Sequence, residues 1–443
     1  MIFETNYKLE DFILKTDWES LPSNVKKRAV VCAIDLTTAL ILGSKGAQHR
    51  VGLNLAKKIY KDGDIPVVGS DNKLSFIGAT VAMSHAANSF DIDDGHNMIR
   101  GHPGASFVGG VMAAALKNDI SYQEYLTTLV ICYESTIRWA LAMQDFYNFM
   151  HSTGAYGAFG TVTGVGKVFG LDRETLNNAL SIADFHAPMT PVMRAVEYPS
   201  MNKDGVPFGT MVGAMAVLEA MEGYKGKTHF LEMPEYQKLV DTLGSEYEIL
   251  NLYFKPFTCC RWAHQPISAC LQLMKDHHFG PDDVEHVKVN TFVAASRLSK
   301  IVPHTTDEAQ YNIAYPVAAA LVYGDVGYLQ IRDESFKDEK VLSMMDKLEF
   351  VVDNEMESQF PAKRLAWVEV RLKNGKALKS EVFSAPGEAA DNVDHKWIVD
   401  KFIRITGPLV SEDKQKRIID ELSVPSEKSM RQIVGVINGD CWI

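Results

Sequence analysis

Residues 89–106 carry an unusual density of groups that can transfer protons or bind a metal ion. The segment reads SFDIDDGHNMIRGHPGAS, and it holds three carboxylates and two imidazoles: Asp91, Asp93, Asp94, His96 and His102. Charged side chains are costly to bury without partners, and the neighbouring sequence is largely apolar. The cluster therefore requires either a compensating network or a function.

Three interpretations of this cluster are open. The first is a structural network of helix caps and solvated charges. The second is a metal site, since mixed oxygen and nitrogen ligands suit Mn²⁺, Zn²⁺ or Fe²⁺. The third is acid–base catalysis without a metal, in which a carboxylate holds one tautomer of an imidazole whose pKa lies near neutrality. We favour the third interpretation.

Other polar residues lie in similarly apolar surroundings. They are His151 at a predicted helix start, Lys203 and Asp204 within an apolar run, Tyr315 in an Ala-rich helical segment, and the segment KPFTCCRWAH at 255–264. Each of them alone is typical of a structural residue, but together they indicate one polar site. The adjacent pair Cys259 and Cys260 is predicted to stay reduced, because neighbouring cysteines form strained disulfides and lack the CxxC spacing.

The glycine-rich segment 154–170 resembles a phosphate-binding loop only superficially. A Walker loop requires Gly-Lys followed by Ser or Thr, whereas Gly166 and Lys167 are followed by Val168. No strand precedes the segment, so the dinucleotide-binding pattern fails as well. Small residues at these steps predict instead that two helices approach each other closely.

Helical periodicity dominates the first 270 or so residues, which we predict to be all-helical. Ser23 caps a helix that ends near Gly43, and Ser121 with Glu124 forms a capping box for another. Further helical periods cover 72–88, 103–117, 173–186 and 207–222.

A turn cluster at residues 277–283 ends this pattern and predicts a domain boundary. Residues 284–293 alternate as a strand does, 348–352 form a second short strand, and 367–383 predict a hairpin with a type I′ turn at Asn374-Gly375. Helical periods return at 396–405 and 412–422. We therefore predict a mainly α protein, with a large all-helical domain (1–275 plus 395–443) and a smaller α+β lid domain (276–394).

The composition limits the binding partners and the cellular compartment that we expect for this protein. The chain has 443 residues, of which 46% are apolar and 23% charged, and its formal net charge is −11. Excess carboxylates repel phosphate backbones and anionic lipids, so neither nucleic acid nor membrane is an expected partner. The six cysteines lack a disulfide pattern, and neither a targeting peptide nor an apolar run of about 18 residues is visible. These features predict a soluble, cytoplasmic protein.

Five blocks of sequence resemble, in order, those of the MmgE/PrpD family, which includes 2-methylcitrate dehydratase, cis-aconitate decarboxylase and iminodisuccinate epimerase. The blocks are DIDDGHNMIRGHPG at 91–104, HSTGAYGAFG at 151–160 with GLD at 170–172, MNKDGVPFGTMVGAMAVLEA at 201–220, KPFTCCRWAH at 255–264, and AQYNIAYPVAAAL at 309–321 with PGE at 386–388.

The resemblance implies a helical domain with an α+β lid, a homodimer, and an active site between the domains with no iron–sulfur cluster and no organic cofactor. It implies catalytic roles for Asp91, His102, His151 and Tyr315, and substrate contacts for Lys203 and Lys255. We add Asp94 and His96 as catalytic candidates, and Arg261 and His264 as substrate-binding candidates. One departure concerns Gly95-His96, which stands where the decarboxylase and the methylcitrate dehydratase have Thr-Trp.

Family substrates are small molecules with two or three carboxylates, and the reactions share a carbanion formed beside a carboxylate. We expect His102 or His151 to take the proton, with Asp91 or Asp94 orienting the imidazole, and the other histidine or Tyr315 to protonate a leaving hydroxide. Lys203, Lys255 and Arg261 would bind substrate carboxylates, which predicts a locally cationic pocket. The expected activity is a hydro-lyase. An epimerase, a decarboxylase and, more distantly, a metal-dependent hydrolase are the alternatives.

Overall fold

The computed structural model describes residues 7–391 and 393–439, and most of these residues are helical. The helices are α1 (Lys8–Lys15), α2 (Ser23–Gly43), α3 (Ala47–Ile59), α4 (Phe76–Ala87), α5 (Pro103–Asn118), α6 (Tyr122–Phe146), α7 (Thr153–Phe169), α8 (Arg173–His186), α9 (Met193–Glu197), α10 (Val206–Met221), α11 (Gln237–Asp241), α12 (His264–His277), α13 (Val293–Ser296), α14 (Thr306–Gln310), α15 (Ala314–Tyr323), α16 (Tyr328–Ile331), α17 (Glu339–Met345), α18 (Asn354–Gln359), α19 (His395–Thr406), α20 (Glu412–Leu422) and α21 (Met430–Asn438).

The strands are fewer and mostly short. They are β1 (Asp62–Pro66), β2 (Lys73–Leu74), β3 (Gly95–His96), β4 (Leu252–Tyr253), β5 (Val284–Thr291), β6 (Leu348–Val352), β7 (Leu365–Leu372), β8 (Ala377–Lys379) and β9 (Phe383–Ser384). The mainly α class predicted from the sequence is confirmed.

Helices α4, α5, α7 and α10 pack against one another in the centre of the molecule. Glycines make the close approach of α7 and α10 possible, because a Cβ atom on Gly209 would overlap the carbonyl group of Gly154. A Cβ atom on Gly154 would in turn overlap the carbonyl group of Gly205. The glycine-rich segment is therefore a helix-packing surface, as its small-residue spacing predicts.

Several predicted helix boundaries agree with the structure. Helix α2 spans Ser23–Gly43, and the capping box of α6 is formed, with the Ser121 hydroxyl accepting from the Glu124 amide at 3.2 Å. The helix predicted from residue 72 begins later, at Phe76, because Ser75 caps it and Lys73–Leu74 pair with β1.

The expectation of an all-helical region before residue 270 is wrong at four short strands. Strands β1 and β2 form one antiparallel pair, and β3 pairs with β4, which lies more than 150 residues further along the chain. Strands of two residues are too short to show a period-two pattern. Their pairing is fixed by tertiary contacts that local sequence does not record.

The larger sheet has the strand order β6-β5-β7-β8, with β9 pairing to the end of β7. Strands β5 and β6 are parallel, and β7 is antiparallel to β5, β8 and β9. The predicted hairpin is present as β7–β8, but its type I′ turn is wrong. Gly375 has a φ of 84°, whereas Asn374 is not among the residues with positive φ, which a type I′ turn requires at both central positions.

The C-terminal helix α19 returns to pack against α2. Its Lys401 ammonium donates to the buried Asp35 carboxylate of α2 and to the carbonyl oxygen of Ile92 at 2.7 Å. A late segment of the chain thereby supports the loop that carries Asp91, Asp93 and Asp94.

Among the described residues, no single helix combines the length and the apolar composition that crossing a membrane requires. Helices α2 and α3 satisfy that test only when taken together, with a bend of 82° between them.

Candidate active site

Three helices begin close to one another around His102. His102 precedes α5, Ser152 precedes α7, and Gly205 precedes α10. The His102 amide donates to the Thr153 hydroxyl at 3.3 Å, and the Gly154 amide donates to the Asp204 carbonyl at 2.7 Å. Because helix N-termini carry partial positive charge, their convergence favours negative groups at this point.

The His102 imidazole lies among carboxylates from two segments. Its Nδ1 atom is 3.0 Å from Asp93 Oδ2, while its Nε2 atom is 3.7 Å from Asp91 Oδ1 and 3.6 Å from Asp204 Oδ2. The Asn88 amide donates to Asp93 Oδ1 at 2.9 Å and lies 3.4 Å from Asp91 Oδ1. The carboxylates are thus held in place around one ring; we call this group the His102 cluster (Asn88, Asp91, Asp93, His102, Asp204 and Lys255).

Lys255 supplies the cation of the His102 cluster. Its Nζ atom is 3.2 Å from Asp91 Oδ1, 2.9 Å from His102 Nδ1, and within 3.0 Å of the Asp91 carbonyl oxygen, to which it donates. The side chain is fully buried, so its charge must be compensated locally. Asp91, His102 and Asp204 could hold a metal ion by spacing, but the Lys255 ammonium already lies beside two of them.

Burial and neighbouring charges set the protonation states of this cluster. Although burial works against ionisation, the charges of Lys255 and His102 lower the pKa of Asp93. Burial and Lys255 oppose protonation of His102, yet Asp93 and Asp91 raise the pKa of His102 above its ordinary value. Burial also opposes the charge of Lys255, whose pKa is raised by Asp91 and Asp93. The arrangement therefore favours an ionised Asp93 beside an imidazole that readily accepts a proton.

Asp94 points away from His102 and occupies a different environment. Its carboxylate accepts from the Gly104 amide at 3.1 Å and from the buried Tyr133 hydroxyl. Burial, together with the charge of Asp35, raises the pKa of Asp94 to about 7. The predicted role of Asp94 in orienting an imidazole is taken by Asp93 in this structure.

Two residues of the site adopt backbone conformations that L-amino acids rarely occupy. Asp91 has a φ of 53° and Lys203 a φ of 40°. Aspartate tolerates this left-handed region better than most residues, whereas lysine gains nothing local from it. Such conformations persist where surrounding contacts impose them, and they concentrate at functional sites.

The three predicted substrate clamps all have internal partners. Lys203 donates to the carbonyls of Asn88 at 2.6 Å and Ser89 at 2.7 Å and to Gln310. Arg261 donates to the carbonyls of Ala385 and Pro386 and to Glu388 at 2.7 Å.

The locally cationic pocket stays a prediction, because the predicted clamps are engaged with groups of the protein itself. The carboxylates of Asp91, Asp93 and Asp204 outnumber the ammonium groups of Lys203 and Lys255. The ammonium groups bind carbonyl and carboxylate groups of the protein itself. The residue type alone does not predict whether a buried lysine binds such internal groups or a substrate. Binding of substrate by these ammonium groups stays a prediction.

Four further predicted residues lie outside the His102 cluster. His96 Nε2 is 3.3 Å from Glu248 Oε2, and this contact lowers the pKa of Glu248 to about 2. His264 contacts the Cys259 carbonyl at 3.0 Å, and burial lowers its pKa. Tyr315 donates to the carbonyls of residues 330 and 335. These contacts are structural ones.

His151 is buried between the rings of Tyr147 and Phe149, and burial lowers its pKa to about 4. Neither of its ring nitrogens hydrogen-bonds to any residue that the structure describes. It lies two positions before Thr153, whose hydroxyl accepts from the His102 amide, so it adjoins the His102 cluster without joining it.

Sequence reasoning assigns no role to three members of this site. Asp204 stands out only as a polar residue in an apolar run, Asn88 precedes the acidic segment, and Tyr311 lies between α14 and α15, four positions before Tyr315. The Tyr311 hydroxyl donates to Asp204 Oδ2 at 2.7 Å. The contacts of Asp204 with His102 and with Tyr311 join residues more than 100 positions apart, so local sequence does not predict them.

A cavity of about 860 Å³ opens beside the helix starts. Its lining includes Ser152, Asn202, Lys203 and Gly205, while Arg194 and His304 add further polar groups. The volume is typical of small-molecule sites. His102 is deeper, with only 9% of its surface exposed, and does not line this cavity.

Comparison with known proteins identifies the family to which this chain belongs. The MmgE/PrpD N-terminal domain matches residues 7–246, and the MmgE/PrpD C-terminal domain matches residues 257–424. The chain is 22% identical to the cis-aconitate decarboxylase-like protein oryM of Aspergillus oryzae, over 95% of this chain and 94% of that protein. It is 21% identical to a cis-aconitate decarboxylase of Aspergillus terreus, over 91% of this chain and 89% of that protein. The two domain matches together cover most of the sequence, and the chain belongs to the MmgE/PrpD family.

Proposed function

We propose that this protein is a lyase, working without an organic cofactor, that acts on a small di- or tricarboxylate through a carbanion formed beside a carboxylate. The observation that carries the proposal is the His102 cluster. A buried imidazole is held by a carboxylate at Nδ1, lies beside an ammonium group, and lies where three helices begin.

The contacts of the His102 ring support an acid–base role. Both Asp93 Oδ2 and Lys255 Nζ lie near Nδ1, at 3.0 and 2.9 Å. In the tautomer whose Nδ1–H donates to Asp93, the Lys255 protons are directed to the carboxylate and carbonyl oxygens of Asp91, and the free electron pair of the ring is on Nε2. Nε2 can then remove a proton from a carbon acid, and as imidazolium it can return one. Positive charge on Lys255 and at the helix starts stabilises the negative charge that develops on the substrate.

Substrate access to His102 requires movement, because the ring is almost fully buried. We propose that residues 276–394 form a lid over the helical residues 1–275 and 395–443. Side chains that join the two parts support this division: Arg261 binds Glu388, and Asn97 binds both Glu388 and Arg364. Opening of the lid breaks these contacts and frees Arg261 for a substrate carboxylate.

The first candidate reaction is loss of water from a hydroxylated carboxylate. His102 removes the proton beside the carboxylate, and a second group protonates the departing hydroxide. Tyr311 is better placed for this step than Tyr315, since its hydroxyl binds Asp204, which is 3.6 Å from His102 Nε2.

Decarboxylation is the second candidate, and two observations favour it. The raised pKa of His102 favours the imidazolium, which protonates the carbanion left when CO₂ departs. In addition, the A. terreus relative is named a cis-aconitate decarboxylase and aligns over most of both chains.

A substrate screen in D₂O separates these reactions. The full-length protein is incubated with citrate, 2-methylcitrate and cis-aconitate while absorbance, released CO₂ and NMR spectra are recorded. An unsaturated acid without CO₂ supports a hydro-lyase, and CO₂ with one deuterium in the product supports a decarboxylase. Deuterium incorporation with inversion and neither product identifies an epimerase and contradicts the lyase. Activity that a chelator abolishes while the protein stays folded, and that a divalent ion restores, contradicts the metal-free mechanism.

A further inference from the structure

A second group of carboxylates surrounds a buried histidine on the far side of α7. Glu10 in α1 and Glu232 in the 3₁₀ turn Phe230–Glu232 both approach the imidazole of His229. One ligand atom from each residue lies within 4.8 Å of the other two. We call these three residues, with Asn177, the His229 cluster.

His229 is buried without a hydrogen bond from its ring. Only 2% of its surface is exposed, and neither ring nitrogen hydrogen-bonds to any residue in the described ranges 7–391 and 393–439. Its Nε2 atom is 3.7 Å from Glu10 Oε1, which exceeds the normal hydrogen-bond range. Two ligands of one tetrahedral metal ion, each about 2.1 Å from it, lie about 3.4 Å apart. The observed separation is closer to that arrangement.

The two carboxylates are oriented by one amide. Asn177 of α8 donates to Glu10 Oε1 at 2.8 Å and to Glu232 Oε1 at 3.1 Å, and Glu232 Oε2 accepts from the His229 backbone amide at 3.3 Å. Hydrogen bonds of this kind commonly position metal ligands. Glu232 is half-buried, which leaves a path for an ion or a water molecule to enter.

The His229 cluster contains no ammonium group of the kind that Lys255 provides at His102 within the described residues; burial opposes the charge of the imidazole itself, although Glu10 raises the pKa of His229. Within the described part of the chain, no lysine or arginine forms an ion pair with Glu10 or Glu232. Asp184 adds a third carboxylate nearby, where it accepts from the Phe230 amide at 3.4 Å. Buried carboxylates are normally paired or bound to a metal ion.

We propose that Glu10, His229 and Glu232 bind a divalent transition-metal ion that connects α1 to the 3₁₀ turn. Two carboxylates and one imidazole suit Zn²⁺ or Mn²⁺, whereas an imidazole ligand disfavours Mg²⁺ and Ca²⁺. The role is structural, and the proposal is independent of the reaction assigned to the His102 cluster.

Metal binding to the purified full-length protein tests the proposal. After dialysis against a chelator and its removal, Zn²⁺ and Mn²⁺ are titrated by calorimetry, and thermal unfolding is followed with and without each ion. We expect one equivalent to bind and to raise Tm. His229→Gln and Glu232→Gln should abolish both effects, and Asn177→Ser should weaken binding by about 10- to 100-fold.

Matched controls locate the site. Glu174→Gln changes an exposed carboxylate on α8 that pairs with Lys225, and His49→Gln changes a buried imidazole bonded to the Ala82 carbonyl. Both variants should bind metal as the wild type does. Absence of binding by the wild type at millimolar Zn²⁺ and Mn²⁺ overturns the proposal. Metal binding that survives in both His229→Gln and Glu232→Gln also overturns the proposal. This holds whether or not His102→Gln abolishes that binding.

Discussion

The His102 and His229 clusters contain similar groups but differ in their charged members. Each has a buried imidazole, carboxylates close to it, and an asparagine whose amide contacts two of those carboxylates. The His102 cluster also contains Lys255, a buried ammonium group within hydrogen-bond distance of the ring. The His229 cluster has no such cation among the described residues.

We propose that this difference separates a catalytic site from a site that stabilises the fold. Lys255 offsets part of the carboxylate charge around His102, and the nearby helix starts and cavity offer positive charge and room for an anionic substrate. At His229 we propose that a metal ion from solution offsets the carboxylates instead. The presence of a buried lysine is then the feature that distinguishes the two proposed roles.

The largest expected effect is on catalysis. His102→Gln should lower kcat by about 10²- to 10⁴-fold, because general acid–base catalysis contributes that much. Steady-state kinetics on the substrate found in the screen measure it, with His49→Gln as the control that keeps wild-type kcat. If His229→Gln lowers kcat per folded molecule as strongly as His102→Gln does, the proposal that only the His102 cluster is catalytic is contradicted.

The second effect is on stability. Lys255→Met leaves Asp91 and Asp93 buried without their cation and should lower the free energy of unfolding by about 3–5 kcal/mol. Adding Asp91→Asn should restore part of that loss. Urea unfolding in the presence of a chelator gives both values. In the same buffer Glu232→Gln should destabilise the protein much less than Lys255→Met, because Glu232 is only half-buried and Asn177 still donates to Glu10 in the variant. A loss as large as that of Lys255→Met contradicts our account of the His229 cluster.

A third prediction concerns the two tyrosines. A hydrogen bond to a charged group contributes about 1.5–3 kcal/mol, so Tyr311→Phe should lower kcat by about 10- to 100-fold through Asp204. Tyr315→Phe removes bonds to backbone carbonyls and should lower kcat less, while it lowers the free energy of unfolding by about 1 kcal/mol. Equal kcat values for the two variants would remove Tyr311 from the His102 cluster.

The smallest expected effect is a pH dependence of stability. Because the folded-state pKa of Asp94 is raised to about 7, its contribution is complete below pH 3.8 and is lost as the pH rises through 7. Between pH 6 and 7.5 the wild type should lose about 1 kcal/mol relative to Asp94→Asn. Asp93, whose pKa is lowered, is ionised in both the folded and the unfolded chain over this range, and its contribution to stability is lost only as the pH falls below 3.8. Parallel urea unfolding curves of the wild type and Asp94→Asn at the two pH values check the sign and the size of the Asp94 effect.

Local patterns in the sequence predicted much of the fold. The capping box at Ser121 and the alternation at Val284–Thr291 are properties of neighbouring residues, and both are present in the structure. The pairing of β3 with β4 joins residues more than 150 positions apart, and no local period records it.

The candidate site, too, could be predicted only where its residues are close together in the sequence. The acidic segment identified His102 and its neighbours, because charged groups are rare in apolar surroundings. Which carboxylate contacts the ring could not be predicted, since Asp93 and Asp94 are adjacent and the turn of the backbone decides which one faces His102. Asp204 and Tyr311 reach the site through tertiary packing, as does the Glu388 partner of Arg261.

The contact of Lys401 with the Ile92 carbonyl has a consequence for synthesis of the chain. The two residues are 309 positions apart, and a ribosome adding 5–20 residues per second needs roughly 15–60 s to translate that interval. Throughout that time the nascent acidic loop has no C-terminal helix to support it. Chains that stop before α19 should therefore emerge without an ordered loop at Asp91 to Asp94, so catalytic competence is acquired at the end of translation.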